Sequence, residues 1–204
     1  MIHALIADDH TIVREGLKQI LSETTDITVA DVASTGQEVI EKVRANTYDV
    51  VLLDISMPDK TGLEVLKQIK TEHPDLPVLI LTMYPEAQYA IRALRAGASG
   101  YLIKESTPDE LVKAVRTVSE GRRYVSASLA ERLAFDLTGD SDRLPHELLS
   151  DREYQVMCRI ASGRTVSQIA EELSLSVKTI STYRSRLLEK MNLQNNAELT
   201  HYAI

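Results

Sequence analysis

A chain of 204 residues is long enough for one large domain or two small ones, and an apolar content of 44% supplies proper cores. A formal net charge of −7 excludes a chain that binds nucleic acid along its whole length, no run approaches the roughly 20 apolar residues that a membrane span needs, and a single cysteine, Cys158, excludes an intrachain disulfide. That thiol falls in an apolar helical pattern and reads as buried and inert, and the first residues show no cleavable signal pattern, so a reducing cytoplasm is the expected compartment.

Along the first 120 residues, short apolar runs alternate with helix-length segments. The runs at roughly 2–7, 27–33, 49–54, 77–82 and 99–103 read as strands. Ile2–Ala7, Val50–Leu53, Val78–Leu81 and Tyr101–Ile103 are apolar almost throughout, as parallel strands buried on both faces are. The intervening periodicity predicts helices at about 12–22, 35–45, 62–72, 86–96 and 107–120. Thr61-Gly62-Leu63-Glu64 and Thr107-Pro108-Asp109-Glu110 read as capping boxes, the second with proline at the first helical position. Five βα units of this length predict an α/β fold with a doubly wound, five-stranded parallel sheet.

In such a sheet chemistry collects at the carboxyl ends of the strands. Asp8 and Asp9 follow the first strand, Asp54 ends the third, Thr82 the fourth, and Lys104 follows the fifth. A single acid at a strand end is most often a solvated loop residue; the specificity lies in the matched set. Three acids, a hydroxyl and an ammonium suit one magnesium ion, which takes oxygen ligands and keeps several waters, and one phosphoryl group. A carboxylate attacking phosphorus approaches a group that is already negative, and a metal ion and a lysine offset that repulsion. Asp54 is the best nucleophile, because it ends the most apolar strand and precedes a loop, Ile55-Ser56-Met57-Pro58-Asp59, that must turn sharply. Asp8 and Asp9 would hold the metal, while Lys104 and Thr82 would take phosphoryl oxygens. Magnesium disfavours imidazole, so His10 reads as a loop residue.

Residues 121–148 break the rhythm. A helix-like piece, Ala127–Leu137, leads into the turn-forming Thr138-Gly139-Asp140-Ser141-Asp142. We divide the chain into domains at 1–121 and 148–204 with a linker over 122–147. Beyond the linker every periodic segment is a short helix. Ser150-Asp151-Arg152-Glu153 opens one to about Ser162, Thr165-Val166-Ser167-Gln168 one to about Leu173, Ser176 caps one to about Met191, and Asn195 opens a fourth. Ser174-Leu175 joins the second and third in a helix-turn-helix. Within Ser176–Met191, Lys178, Arg184, Arg186 and Lys190 face Glu189 alone, a local +3 in an acidic chain. Helical spacing sends Val177, Ile180, Leu187, Leu188 and Met191 toward the core. Lys178, Ser181, Thr182, Arg184, Ser185 and Arg186 are left on or near the other side, where small hydroxyl residues allow close approach to base edges and long cations reach phosphates.

Two resemblances follow from these residues. Residues 1–120 resemble a two-component response-regulator receiver domain through Ala7-Asp8-Asp9-His10, Leu52-Leu53-Asp54-Ile55-Ser56-Met57-Pro58, Ile80-Leu81-Thr82 and Gly100-Tyr101-Leu102-Ile103-Lys104. The resemblance implies a flavodoxin-like receiver in which Asp54 accepts a phosphoryl group from a sensor histidine kinase. It implies Mg2+ held by Asp9, Asp54 and the backbone carbonyl of Ser56, with Asp8 acting through water, and a switch pair of Thr82 and Tyr101 that shifts inward on phosphorylation. Ser56 and Tyr84 vary in that family and flank the path of the attacking water, and a bulky Tyr84 is expected to slow hydrolysis. Residues 146–204 resemble the four-helix NarL/FixJ (LuxR-type) output domain through Leu149-Ser150-Asp151-Arg152-Glu153, Gly163, Ile169-Ala170, Leu173, Ser176-Val177-Lys178-Thr179-Ile180-Ser181 and Arg184. It implies that Ser181, Thr182 and Ser185 face bases, that Lys178, Thr179 and Arg184 touch the DNA backbone, and that the last helix forms a dimer contact.

The expected protein is a DNA-binding transcriptional response regulator without enzymatic turnover. Its partners are a sensor histidine kinase, double-stranded promoter DNA and, on phosphorylation, a second copy of itself; no membrane is involved. The kinase would read the helix at 12–22 through Thr11, Arg14, Glu15 and Lys18. A magnesium-dependent aspartyl-phosphate phosphatase needs a second acid or base beside the nucleophile, and only Asp59 lies just beyond Asp54. A regulator that binds DNA regardless of phosphorylation is the other alternative, against which the complete acid set argues.

Overall fold

Strands that are apolar on both faces need a helix layer on each side. In a computed structural model of the chain, describing residues 1–84, 86–127, 129–131 and 144–203, the first part builds that arrangement. The chain divides into two compact units, Met1–Leu137 and Thr138–Ile204. In the first, β1 (Ile2–Ala7), α1 (Thr11–Ser22), β2 (Ile27–Ala33), α2 (Gly36–Ala45), β3 (Val50–Leu53), α3 (Gly62–Glu72), β4 (Val78–Thr82), α4 (Glu86–Arg95), β5 (Gly100–Ile103) and α5 (Pro108–Ser119) follow one another. The strands form one parallel sheet in the order β2-β1-β3-β4-β5.

Strand alternation sends successive side chains to opposite faces. Ala4, Ile6, Val50, Leu52, Leu79, Leu81 and Leu102 join Leu17 and Leu21 of α1 and Leu111, Val115 and Val118 of α5 in one buried cluster. The alternate residues Leu5, Val51, Leu53 and Ile80 are fully buried as well. The chain steps from β1 out to β2, then crosses back to β3 on the other side of β1, so the sheet's switch point lies between β1 and β3. Ala7 pairs with Leu53 there, which brings the residues after them, Asp8 and Asp54, side by side at the crevice where ligands bind in such sheets.

In the second unit a 3₁₀ turn (Pro145–Leu148) precedes α6 (Asp151–Ala161), α7 (Val166–Glu172), α8 (Val177–Lys190) and α9 (Asn196–Ala203). Both α6 and α7 begin with the full capping boxes read from the sequence, Ser176 caps α8, and Asn195 Oδ1 accepts from the Ala197 and Glu198 N–H groups at the start of α9. The α7–α8 turn is tight because Ser174 takes a left-handed conformation, φ 53°. Val156, Ile160, Ile169, Ile180, Leu187 and Leu199 fill the core. Apart from 127 and 129–131, the expected helix over 127–137 and the turn over 138–142 lie outside the described residues. Among the described residues no helix is long and apolar enough to cross a membrane.

Glu153 ties the start of α6 to the end of α8. It is buried, accepts from the Ser150 N–H at 2.8 Å and meets Lys190 Nζ at 2.7 Å. Burial pushes its carboxyl up, but Lys190 and the two Ser150 donors pull harder, and the net shift is below the ordinary glutamate value of 4.5. A carboxyl depressed by folding stabilises above its unfolded pKa, and that stabilisation is lost as pH falls through the ordinary range toward the folded value. Urea unfolding followed by circular dichroism is expected to show wild type losing stability below about pH 4.5. Glu153→Gln is expected to cost about 1–3 kcal/mol at pH 7 and to show a flatter acid limb.

Candidate functional site

At the switch point the Asp54 N–H donates to the Ala7 carbonyl at 2.9 Å and the Asp8 N–H to the Ala33 carbonyl at 3.1 Å, so both acids begin as extensions of the ladder. Asp8 and Asp54 are buried, while Asp9 is partly exposed. The fifth strand delivers Lys104, whose N–H donates to the Thr82 carbonyl at 2.8 Å. Its ammonium sits between the two buried acids, 2.6 Å from Asp8 Oδ2 and 2.7 Å from Asp54 Oδ2. Thr82 is buried beside this cluster at the end of β4. The five residues distant in sequence thus end together, as their strand positions required.

The charges are unbalanced: three carboxylates face one ammonium. Burial raises the Asp54 carboxyl above its ordinary range, against the pull of Lys104 and with a push from Asp8. Burial alone would lower Lys104, yet Asp54 and Asp8 outweigh it and the net shift is upward, so the ammonium stays charged. Asp54 Oδ1 is buried with no hydrogen-bond partner, a costly position for a carboxylate oxygen. Ligand atoms of Asp8, Asp9, His10 and Asp54 lie within 4.8 Å of one another. An oxygen-rich cluster with excess negative charge and an orphaned carboxylate oxygen fits a hard divalent cation. His10, read as a loop residue, precedes α1 and places Nδ1 2.7 Å from Asp9 Oδ1. Arg14, expected on a kinase-reading surface, donates to the Asp8 carbonyl at 2.6 Å.

Four features of the site have no local sequence signal. Asp59 reaches back to the start of α2 and accepts from the Gly36 N–H at 2.7 Å and the Gln37 N–H at 2.8 Å. Thr35 takes the next N–H, that of Glu38, so the acceptor loop is pinned to a helix end. Ser56 Oγ donates to Tyr84 Oη at 3.2 Å, linking the two positions that flank Asp54. Tyr101 is fully buried and its hydroxyl donates to the Tyr84 carbonyl at 2.8 Å. Gly62, read only as part of a capping box, donates its N–H to the Ile55 carbonyl at 2.9 Å, and a Cβ there would sit 2.0 Å from the Asp54 carbonyl oxygen.

On α8, Lys178, Ser181, Thr182, Ser185 and Arg186 are exposed, and Thr179 and Arg184 are half-buried. Arg184 Nε donates to Asn196 Oδ1 at 2.6 Å, binding α8 to α9. Val177 departs from the sequence reading. It stands at the first position of α8, before the turn that packs Ile180 inward, and is 50% exposed.

Residues 4–116 match the family model of the response regulator receiver domain, and residues 147–203 match that of bacterial regulatory proteins of the luxR family. The chain is 40% identical over 205 residues to the response regulator UvrY of Escherichia coli O6:H1, covering 100% of this chain and 94% of that protein. It is 38% identical over 204 residues to the response regulator GacA of Pseudomonas protegens, covering 100% and 96%. Its fold resembles RcsB of Salmonella enterica serovar Typhimurium, solved on the promoter rprA with phosphomimetic BeF3-, at TM-score 0.66 and 28% identity over 98% of this chain and 97% of that one.

Gly62→Ala drives a methyl into the Asp54 backbone. It is expected to destabilise the first unit by about 1–3 kcal/mol in urea unfolding and to weaken Mn2+ binding read by electron paramagnetic resonance. Gly16, with nothing near its Cβ position, is the control: Gly16→Ala is expected to leave Mn2+ binding unchanged.

Proposed function

This chain belongs to the two-component response regulators of the NarL/FixJ group, a receiver joined to a LuxR-type DNA-binding domain, and we propose that phosphorylation of Asp54 by a sensor histidine kinase switches its binding to promoter DNA. The observation that carries this reading is the buried Asp54, with one oxygen on Lys104 and the other without a partner. We assign residues 1–121 to the receiver, 122–147 to the linker and 148–204 to the output domain; the family matches, ending at 116 and beginning at 147, support these bounds.

Asp8, Asp9, Asp54 and the Ser56 carbonyl would hold Mg2+, which when bound supplies charge neutralisation for the incoming phosphoryl group. An Asp54 carboxylate oxygen attacks the phosphorus of a phosphohistidine; the P–O bond forms, the P–N bond breaks, and the imidazole leaves with the electron pair. Lys104 then moves from carboxylate to phosphoryl oxygen, and Thr82 donates to another. Asp59, the acid just beyond Asp54, turns both oxygens to α2 N–H groups rather than toward the nucleophile, which favours a switch over a phosphatase. Tyr101, buried with its hydroxyl on the Tyr84 carbonyl, is placed to couple β5 to the segment after Thr82, and on this reading the phosphoryl group acts by shifting a population.

The output follows from symmetry. One small domain grips one half-site, and a receiver-driven dimer adds a second through effective concentration. Lys178, Thr179 and Arg184 would hold DNA backbone, Ser181, Thr182 and Ser185 would face bases, and α9 would meet its dimer mate. RcsB, solved as dimers bound to DNA, supports this output. The reading sets the protein in the cytoplasm. The kinase is expected to read α1, where Ile12 is 88% exposed.

Intact mass spectrometry with Mg2+ and acetyl phosphate is expected to show one added phosphoryl group on wild type and none on Asp54→Ala. Tyr84→Ala opens the Ser56–Tyr84 bridge and is expected to lose the phosphoryl group several-fold faster. Phosphorylation of Asp54→Ala, or steady release of phosphate from an ester, would overturn the assignment.

A further inference from the structure

The hydroxyl donors of Ser181, Thr182 and Ser185 on α8 are already spent. Ser181 Oγ donates to the Val177 carbonyl at 2.8 Å, Thr182 Oγ1 to the Lys178 carbonyl at 3.0 Å, and Ser185 Oγ to the Ser181 carbonyl at 3.1 Å. A hydroxyl has one donor and two lone pairs. With the donor turned back onto the helix, each presents acceptors outward. Residues 177, 181 and 185 recur every four positions and share one stripe of the helix. That stripe begins with the exposed isopropyl group of Val177, at the end of a recognition helix that meets base edges. Lys178, Thr182 and Arg186 lie beside it, and the Arg184 guanidinium is drawn to Asn196.

Each base pair shows a distinct pattern in the major groove. Guanine shows two acceptors, which Arg or Lys reads, and its cytosine partner an N4 amino donor with no methyl; adenine shows an N6 amino donor, and its thymine partner a C5 methyl. A stripe of acceptors and a bare isopropyl group suits the second pattern. Turning a hydroxyl to donate to guanine gives up an intrahelical bond, and leaving it in place sets lone pairs against guanine O6 and N7. We propose that Val177, Ser181 and Ser185 make the protein a reader of A·T pairs, the hydroxyls accepting from adenine N6 amino groups and Val177 packing on the thymine methyl. This rests on the DNA-binding reading above and deepens it to base identity.

The test uses the full chain with Mg2+ and acetyl phosphate. A bound duplex is selected from random DNA, then remade with single thymines changed to deoxyuridine, which lacks the methyl, or single adenines to purine, which lacks the amino group. The inference expects A·T pairs at the contacted positions and about 3–10-fold weaker binding of wild type for each replacement there. The deoxyuridine effect is expected to vanish in Val177→Ala, and the purine effect in Ser181→Ala or Ser185→Ala, with circular dichroism of the variants unchanged. A selected site with G·C pairs at those positions, or wild type indifferent to both replacements, would overturn the inference while leaving DNA binding intact. Enrichment of no sequence would overturn the DNA-binding reading itself.

Discussion

Lys104 between Asp8 and Asp54 is the interaction on which the first unit's chemistry depends. Three carboxylates at one sheet edge repel one another, and two of them are buried. A single ammonium from the last strand reduces that repulsion without removing it. The remainder favours positive charge, and an oxygen-rich cluster of that kind fits a hard divalent cation. The sheet exists to hold this arrangement: the register of β1 against β3 sets the two buried acids side by side, and β4 and β5 bring Thr82 and Lys104 to them. A lysine elsewhere on the surface would be one more weak, screened charge.

The loop after Asp54 gains its rigidity from neighbours on both sides. Gly62 lets the first residue of α3 press against the Asp54 backbone, at a distance no other residue tolerates. Asp59 clasps the start of α2. The loop is therefore held at two helix N-termini, and Asp54 Oδ1 is left buried with no hydrogen-bond partner. The second unit is built on the same economy of caps: α6, α7 and α8 each start from a serine or threonine side chain bonded to a backbone N–H. These caps fix short helices that propensity alone would leave marginal.

Most of this was legible in the sequence because the signals are local or periodic. Continuous apolar runs gave buried strands, capping boxes gave helix starts to within about a residue, and the ends of strands gave Asp8, Asp9, Asp54, Thr82 and Lys104. What was not legible acts across distance or through geometry. Nothing near Asp59 marks it as the cap of a helix that starts 23 residues earlier. Gly62 reads as one letter of a capping box, since close approach to Asp54 is a tertiary fact. Val177 fits the apolar period of α8 but stands at its first position, outside the packed turns, and is exposed. Arg184 carries charge suited to DNA, yet its guanidinium is engaged by Asn196 from a different helix.

The central claim is that charge at Asp54 governs the grip of the second unit on DNA. Fluorescence anisotropy of a labelled pseudo-palindromic duplex, titrated with the chain with and without acetyl phosphate in Mg2+, tests it most directly. The account predicts tighter binding with the donor for wild type, a steep fall with salt as counterions are released, and no donor effect for Lys104→Ala. Equal affinity with and without the donor, in a chain whose Asp54 is demonstrably phosphorylated, would contradict it.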